Sequence, residues 1–480
     1  MKSIHDAMNI QKPAVKPLSW GKSILWLAVA VASFHAAYTS IRFPAAGLLI
    51  FGYALGLVQL TNQPTVRRAF YFGLATGFLC YAPQLHFLWK IFGPAAIVLW
   101  LLLAFWIGLF TAFVCGCIRR WGKTKAVWLI PVIWTGLEYF RSELYYLKFS
   151  WLNIGYALPS QFSGIGTYRI GMYVAGFVVI AIVAAYPYGF VRRRTVFEGF
   201  LVFTILTIVL VTLFPTDYRS RAHSKLSIVG VQLEFPDVKI IPKVLNHALA
   251  KNPDAQIFVL SEYTLDGPVP DSLKDWCHEH SRFLVVGGEE LLGATNFYDT
   301  AFVVGTNGEV VFQQAKCVPI QFFKDGLPAP DQSVWNSPWG KIGFCICYDL
   351  SYTRVTDRLV KQGAQLLIVP TMDVEAWGRH EHELHTRVAP VRAAEYGIPI
   401  FRLASSGISQ AITWDGKVIA QAPFPGSDCV IAAKLPLFSK GSLPLDRFLA
   451  PTCVGITAAV TLGLLLLAWR DRRTRSANLF

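Results

Sequence analysis

Three short strings in the second half of the chain hold the groups that acyl transfer requires. Leu260-Ser261-Glu262-Tyr263 offers a carboxylate, Ala315-Lys316-Cys317-Val318-Pro319 an ammonium, and Phe344-Cys345-Ile346-Cys347-Tyr348-Asp349 a thiol. A thiol becomes a nucleophile when a carboxylate takes its proton, and an ammonium can hold the oxyanion that follows. Glu262 as general base and acid, Lys316 as oxyanion holder and Cys347 as nucleophile would make and break an acyl thioester. Each residue taken alone is more often packing or surface charge, so the case depends on the three converging.

The surrounding elements must bring them together. Apolar, β-rich runs fall at 226–232, 257–260, 283–286, 300–304, 342–345, 366–369, 400–403 and 411–413, and helical patterns at 241–250, 352–362 and 382–396. Strands alternating with helices and hairpins predict an α/β layered sandwich, with Glu262 and Cys347 each just past a strand. Cys347 also precedes a helical stretch, whose amino terminus is expected to lower the thiol pKa, with Asp349 capping it. Loops at 263–269 and 321–327 are candidate covers for the site, the second carrying Phe322 and Phe323, and Trp377 is a candidate to face an acyl chain.

The nine cysteines form no framework. Cys277, Cys317, Cys345, Cys347 and Cys429 are an odd set in the water-compatible segment, which leaves at least one thiol free. Cys345-x-Cys347 is too tightly spaced for a zinc knuckle, and no metal is expected.

Composition locates this chemistry at a membrane. Of 480 residues 54% are hydrophobic and only 15% charged, against roughly a quarter charged in soluble domains. The apolar runs are uneven and divide the chain into a tail at 1–22, a membrane domain at 23–215, a soluble domain at 216–447, a further span at 448–469 and a basic tail at 470–480. Expected spans lie at 23–40, 43–61, 69–89, 94–117, 126–143, 168–190 and 196–214, about seven before the soluble domain and one, 449–469, after it. Glu138 and Arg141, at helical i,i+3 spacing, are expected to pair at the edge of a span.

The formal charge is +14, gathered at Lys12, Lys16 and Lys22, Arg67 and Arg68, Arg119 to Lys125, Arg192 to Arg194, and Arg470 to Arg475. With the amino terminus inside and an odd number of spans, all these clusters are cytoplasmic and the soluble domain is outside. That distribution, with no basic stripe interleaved with aromatics, excludes nucleic acid as the partner.

The strings around Glu262, Lys316 and Cys347-Tyr348-Asp349 resemble the nitrilase, or carbon–nitrogen hydrolase, superfamily. So do Gly340-Lys341-Ile342-Gly343, Val369-Pro370-Thr371, Ala376-Trp377-Gly378, Arg392 to Pro399 and Ser405-Ser406-Gly407. With Glu138-Tyr139-Phe140-Arg141 and Phe149-Ser150-Trp151-Leu152-Asn153-Ile154-Gly155-Tyr156 in the apolar block, the chain is similar to the apolipoprotein N-acyltransferases. It departs from them where Leu260-Ser261 stands for Trp-Pro before the Glu, and where Asp349 stands for Glu after Cys-Tyr. In the loop Pro319 to Gly326, Asp325 is only an approximate substitute for the usual acidic residue.

The resemblance implies a multi-span α-helical membrane bundle holding an α/β nitrilase-like αββα sandwich on the periplasmic face of a bacterial inner membrane. It implies a Glu-Lys-Cys triad of Glu262, Lys316 and Cys347, supported by Tyr348, Asp349, Asp325 and Trp377, with no metal or organic cofactor. The donor would be a phospholipid and the acceptor the amine of a lipid-modified lipoprotein. Two other readings stand beside it: a membrane-tethered amidase acting on a small amide, favoured by Tyr348-Asp349 and Ser261-Glu262, and a lipid-binding component with a relic domain.

Overall fold

The computed structural model describes residues 17–39, 44–158, 170–189, 224–293, 295–426, 428–438 and 440–477. Most of the expected tail 1–22, the expected span 196–214 and the basic cluster Arg192 to Arg194 lie outside the described residues. The chain divides into two compact units. One comprises Met1–Arg141, Tyr173–Val209 and Phe448–Phe480, the other Ser142–Met172 and Leu210–Arg447.

The first unit is helical. Its longer helices are Trp20–Tyr38, Ile50–Leu60, Val66–Gln84, Ala95–Trp121, Leu129–Tyr139 and most of Met172–Gly189 and Asp446–Ala477. Among the described residues two helices, Ala95–Trp121 and Asp446–Thr474, are long and apolar enough to cross a membrane; the first holds all but the first residue of the expected span 94–117, and the second contains 449–469. The other expected spans among the described residues fall on shorter or less apolar helices. Helices Val66–Gln84 and Ala95–Trp121 meet through small residues: a Cβ on Gly77 would lie 2.8 Å from Ala104 Cα, and one on Gly73 2.7 Å from the Ile107 carbonyl. Such close backbone approach is the usual means of helix association where water supplies no hydrophobic drive. Arg141 is buried and donates to Tyr81 Oη at 2.8 Å.

The second unit is an α/β sandwich. Its strands are β1 Ser224–Val231, β2 Ile257–Val259, β3 Phe283–Leu292, β4 Asn296–Val304, β5 Val310–Ala315 and β6 Val334–Ser337, followed by β7 Gly340–Phe344, β8 Leu366–Thr371, β9 Ile400–Ala404, β10 Gln410–Ile412, β11 Val418–Gln421 and β12 Val430–Leu437. They form two six-stranded sheets, ordered β12-β1-β2-β3-β4-β5 and β11-β10-β9-β8-β7-β6. In each sheet three successive strands are parallel, β1-β2-β3 and β7-β8-β9, and the outer ones antiparallel.

The period of two along each strand decides which face each side chain covers. Ile228, Ile257, Val285 and Val303 of one sheet meet Ile342, Phe344, Ile368 and Phe401 of the other in a shared core. Val229, Phe258, Leu284 and Val286, one residue out of phase, face helices Ile241–Lys251 and Asp271–His280. Helices Thr353–Lys361 and Val388–Tyr396 belong with the second sheet, Leu359 lying beside Gly343 of β7. The layers are therefore helix, sheet, sheet, helix, as the sequence led us to expect.

Candidate active site

Glu262 leaves β2 against β3 at a point where only glycine fits. A Cβ on Gly287 would come within 2.5 Å of Glu262 Cα, and the Gly287 N–H donates to the Ser261 carbonyl at 3.2 Å. The next residue, Tyr263, turns the chain with φ +50°. Lys316 follows β5, its N–H donating to the Asp299 carbonyl of β4 at 2.8 Å.

The Lys316 ammonium lies 2.7 Å from Glu262 Oε1, 2.8 Å from Asp325 Oδ2 and 3.4 Å from Asp299 Oδ2. All four side chains are buried. One cation among three carboxylates leaves surplus negative charge in a site that cannot solvate it. Burial alone would lower the Lys316 pKa, but Glu262, Asp299 and Asp325 outweigh it and hold the ammonium charged. Burial and then Glu262 hold Asp299 well above the ordinary carboxylate range. A proton kept on Asp299 relieves the like-charge repulsion.

Cys347 opens a five-residue 3-10 turn, Cys347–Ser351, three residues past the end of β7. Its φ of +50° is left-handed, a conformation that costs a non-glycine residue about 1 kcal/mol and is characteristic of functional turns. Its Sγ lies 3.9 Å from the Met372 carbonyl, and the Met372 N–H donates to Glu262 Oε2 at 2.6 Å. One residue after β8 thus touches both the thiol and the carboxylate.

The thiol pKa corrects an expectation. Burial, and then Glu262, push the Cys347 thiol well above its usual value, with Lys316 opposing. A single 3-10 turn presents little aligned dipole, and the carboxylates around it act the other way. The resting thiol is protonated and needs a base.

Asp349 also differs from expectation. Its carboxylate accepts from the Cys317 N–H at 2.9 Å, the Val318 N–H at 2.8 Å and the Ile346 N–H at 3.3 Å, tying the Lys316 loop to the Cys347 turn. Burial pushes its pKa up to about 6 against those bonds. The amino terminus of helix Thr353–Lys361 instead receives Glu143, which accepts from the Thr353 N–H at 3.2 Å.

Of the other expected residues, Asp325 lies on the ammonium and also accepts from Tyr263 Oη at 2.9 Å. Tyr348 donates from Oη to the Lys148 carbonyl at 3.2 Å and packs its ring on Trp151 and Tyr352. Trp377 is half-buried on the turn Glu375–Trp377, and Cys345 is fully buried.

On another side of Cys347 lies a second polar group that the sequence reading did not single out. Asp373 Oδ1 accepts from His385 Nδ1 at 2.8 Å, and Arg402 donates to Asp373 Oδ2. Burial would raise the Asp373 pKa, but His385 and Arg402 hold its carboxyl below the usual range. A ring nitrogen of His385, a carboxylate oxygen of Asp373 and Cys347 Sγ lie within 4.8 Å of one another. The His385 ring stacks on Trp151, with centroids 4.5 Å apart and planes at 19°. Trp151 also donates from Nε1 to Ser351 Oγ at 3.0 Å.

The available signal was an ionisable residue in an apolar strand, Asp299 in β4 and Arg402 in β9. The carboxylates also have donor spacing suited to a divalent cation, Glu262, Asp299 and Asp325 lying within 4.8 Å of one another. Lys316 and Arg402 already supply cations to the two sets.

Comparison with known proteins agrees with this geometry. Residues 235–438 match the family model for the carbon–nitrogen hydrolases, which makes the sandwich a nitrilase-like domain. Residues 28–186 match the model described as the apolipoprotein N-acyltransferase N-terminal domain. Similar relatives include the apolipoprotein N-acyltransferase of Geobacter metallireducens, 23% identical over 80% of this chain and 85% of that one. That of Shewanella oneidensis is 23% identical over 86% of this chain and 90% of that one. A deaminated glutathione amidase of Dictyostelium discoideum is 26% identical over 33% of this chain and 62% of its own. Over most of its length the chain is thus similar to apolipoprotein N-acyltransferases, with a carbon–nitrogen hydrolase domain at 235–438.

Proposed function

We propose that the protein is a phospholipid-dependent N-acyltransferase that acylates the amino-terminal amine of diacylglyceryl-cysteine lipoproteins through a thioester on Cys347. The observation that carries this reading is the buried Glu262–Lys316 pair, with Met372 touching both Glu262 and the Cys347 thiol. It occurs in a chain whose helical part matches an N-acyltransferase domain.

Glu262 takes the proton of Cys347 as sulfur attacks the ester carbonyl of a phospholipid. Lys316 and a backbone N–H near Tyr348 hold the oxyanion. Protonated Glu262 gives its proton to the leaving lysophospholipid alkoxide, and a thioester remains. The acceptor amine then attacks, and the thiol is released with a proton returned by Glu262. Two half-reactions at one site imply ping-pong kinetics. Tyr348 and Asp349 brace the turn, Asp325 holds Lys316, and Trp377 and the loop 321–327 flank the acyl chain.

In the same reading the helical unit is a multi-span bundle at 23–215, closed by a final span at 448–469, in the bacterial inner membrane. The domain at 216–447 stands on the periplasmic face, with the tails 1–22 and 470–480 in the cytoplasm.

Intact-mass analysis after incubation with phospholipid tests the first half-reaction. A hydroxylamine-labile acyl adduct should appear on the unaltered protein and be missing from Cys347→Ala. The match between the sandwich and an amidase supports a second reading, hydrolysis of a small amide. No adduct from any of several phospholipids, with Cys347 still alkylatable, would favour it.

A further inference from the structure

Proton stoichiometry separates the two half-reactions. In the first, Cys347 loses one proton and the departing alkoxide gains one, so a single carrier, Glu262, suffices. In the second, an α-amine with a pKa of about 8 arrives mostly as an ammonium at neutral pH. An ammonium carries three protons and the amide product keeps one. One of the two lost protons returns to the Cys347 sulfur as the carbon–sulfur bond breaks. The other needs a second acceptor, and Glu262 is already occupied with the first.

We propose that His385 is that second base, taking a proton from the ammonium of the acceptor before its nitrogen attacks the thioester. The inference rests on the acyl-transfer reading above. His385 is only 2% exposed, and its Nε2 has no hydrogen-bond partner among the described residues. A buried polar atom left in this state calls for an explanation, a catalytic role among them.

The ring is held in place by its neighbours. Asp373 can only accept, so the 2.8 Å contact puts a proton on Nδ1, and in the neutral ring the lone pair is then on Nε2. Arg402 Nη2, 3.0 Å from Nδ1, is engaged with Asp373 Oδ2 and does not require the ring's lone pair. Trp151 covers one face of the ring, and a ring nitrogen lies within 4.8 Å of the sulfur that carries the acyl group. The charged and titratable groups facing His385 are Asp373, Arg402, Cys347 and, at 4.0 Å, Glu381.

The step balances. The ammonium gives one proton to His385, and the free amine attacks the carbonyl carbon. The tetrahedral intermediate gives a second proton to Glu262, and Glu262 passes it to sulfur as the amide forms. Imidazolium then releases its proton to water.

The test times the half-reactions separately in the full-length protein, using His385→Gln and His385→Phe, the latter keeping a ring against Trp151. Adduct formation from phosphatidylethanolamine vesicles should stay within a few-fold of the unaltered protein. Transfer from the isolated acyl-enzyme to a peptide with a diacylglyceryl-modified amino-terminal cysteine should fall about a hundredfold or more at pH 7. That deficit should close as pH rises past the amine's own pKa. Added imidazole should restore transfer in His385→Ala.

An equal fall in both half-reactions at every pH, in variants whose Cys347 is still alkylatable, would make His385 structural and overturn the proposal. Unchanged transfer would also overturn it. Failure of the unaltered protein to form any adduct would instead be a failure of the acyl-transfer reading itself.

Discussion

Lys316 lies among more negative charge than it can neutralise, and this governs how Glu262 can act. The Lys316 ammonium pairs directly with Glu262 at 2.7 Å. The surplus falls on Asp299, whose raised pKa has a consequence for stability. A carboxyl whose folded pKa lies above its unfolded value of about 3.9 favours the fold when protonated. Its contribution is complete below that value and is lost as pH rises through the raised one. Asp299→Asn removes this penalty, so its thermal midpoint relative to the unaltered protein should increase from pH 4 to pH 8. A difference that is flat or decreases over that range would show that Asp299 is ionised in the fold. At this scale Glu262, Lys316 and Cys347 were legible because each sits in a telling local string. Asp299, Asp373 and His385 were not, because their partners lie on other strands and helices far along the chain.

The elements show a clear division between what the sequence revealed and what it concealed. Every interior strand was visible as an apolar run, while the strands missed were β5, β6, β11 and β12, the edges of the two sheets. Edge strands bury one side at most, and β5 begins exposed and ends buried, so no clean period of two appears. The expected helix 382–396 is instead two, Arg379–His385 and Val388–Tyr396. Pro390 explains the break, since its ring excludes the carbonyl four residues earlier from a continuous helix. The second of these helices braces the site. Arg392 pairs with Glu395 at 2.6 Å and donates to the Leu350 and Ser351 carbonyls of the Cys347 turn at 3.1 and 2.9 Å. Arg392→Leu takes the guanidinium from a buried carboxylate and leaves two carbonyls without that donor. It should cost about 3–5 kcal/mol, read as a lower thermal midpoint. A midpoint shift near zero would mean that the turn holds its shape without the guanidinium.

For the whole chain, the consequence in the proposed reading of joining a nitrilase-like domain to apolar helices is control over which nucleophile reaches a thioester on Cys347. Water is abundant and would return the acyl group as a free acid, so transfer requires a site that favours a membrane-held amine. Apolar cover favours such an amine by excluding water. Phe322 and Phe323 in the loop after Lys316 are 71% and 40% exposed, available to serve as that cover. The contrast between apolar and water-compatible segments was plain in composition. The grouping of Ser142–Met172 with the α/β unit was not, because the partners of Trp151, Ser351 and His385, lie some two hundred residues along the chain. The most direct measurement isolates the acyl-enzyme formed on Cys347 and adds a peptide with a diacylglyceryl-modified amino-terminal cysteine. The account predicts that adduct disappears at the rate at which N-acylated peptide appears, with the rate rising with peptide concentration. Release of the acyl group as free fatty acid, at a rate indifferent to the peptide, would contradict it.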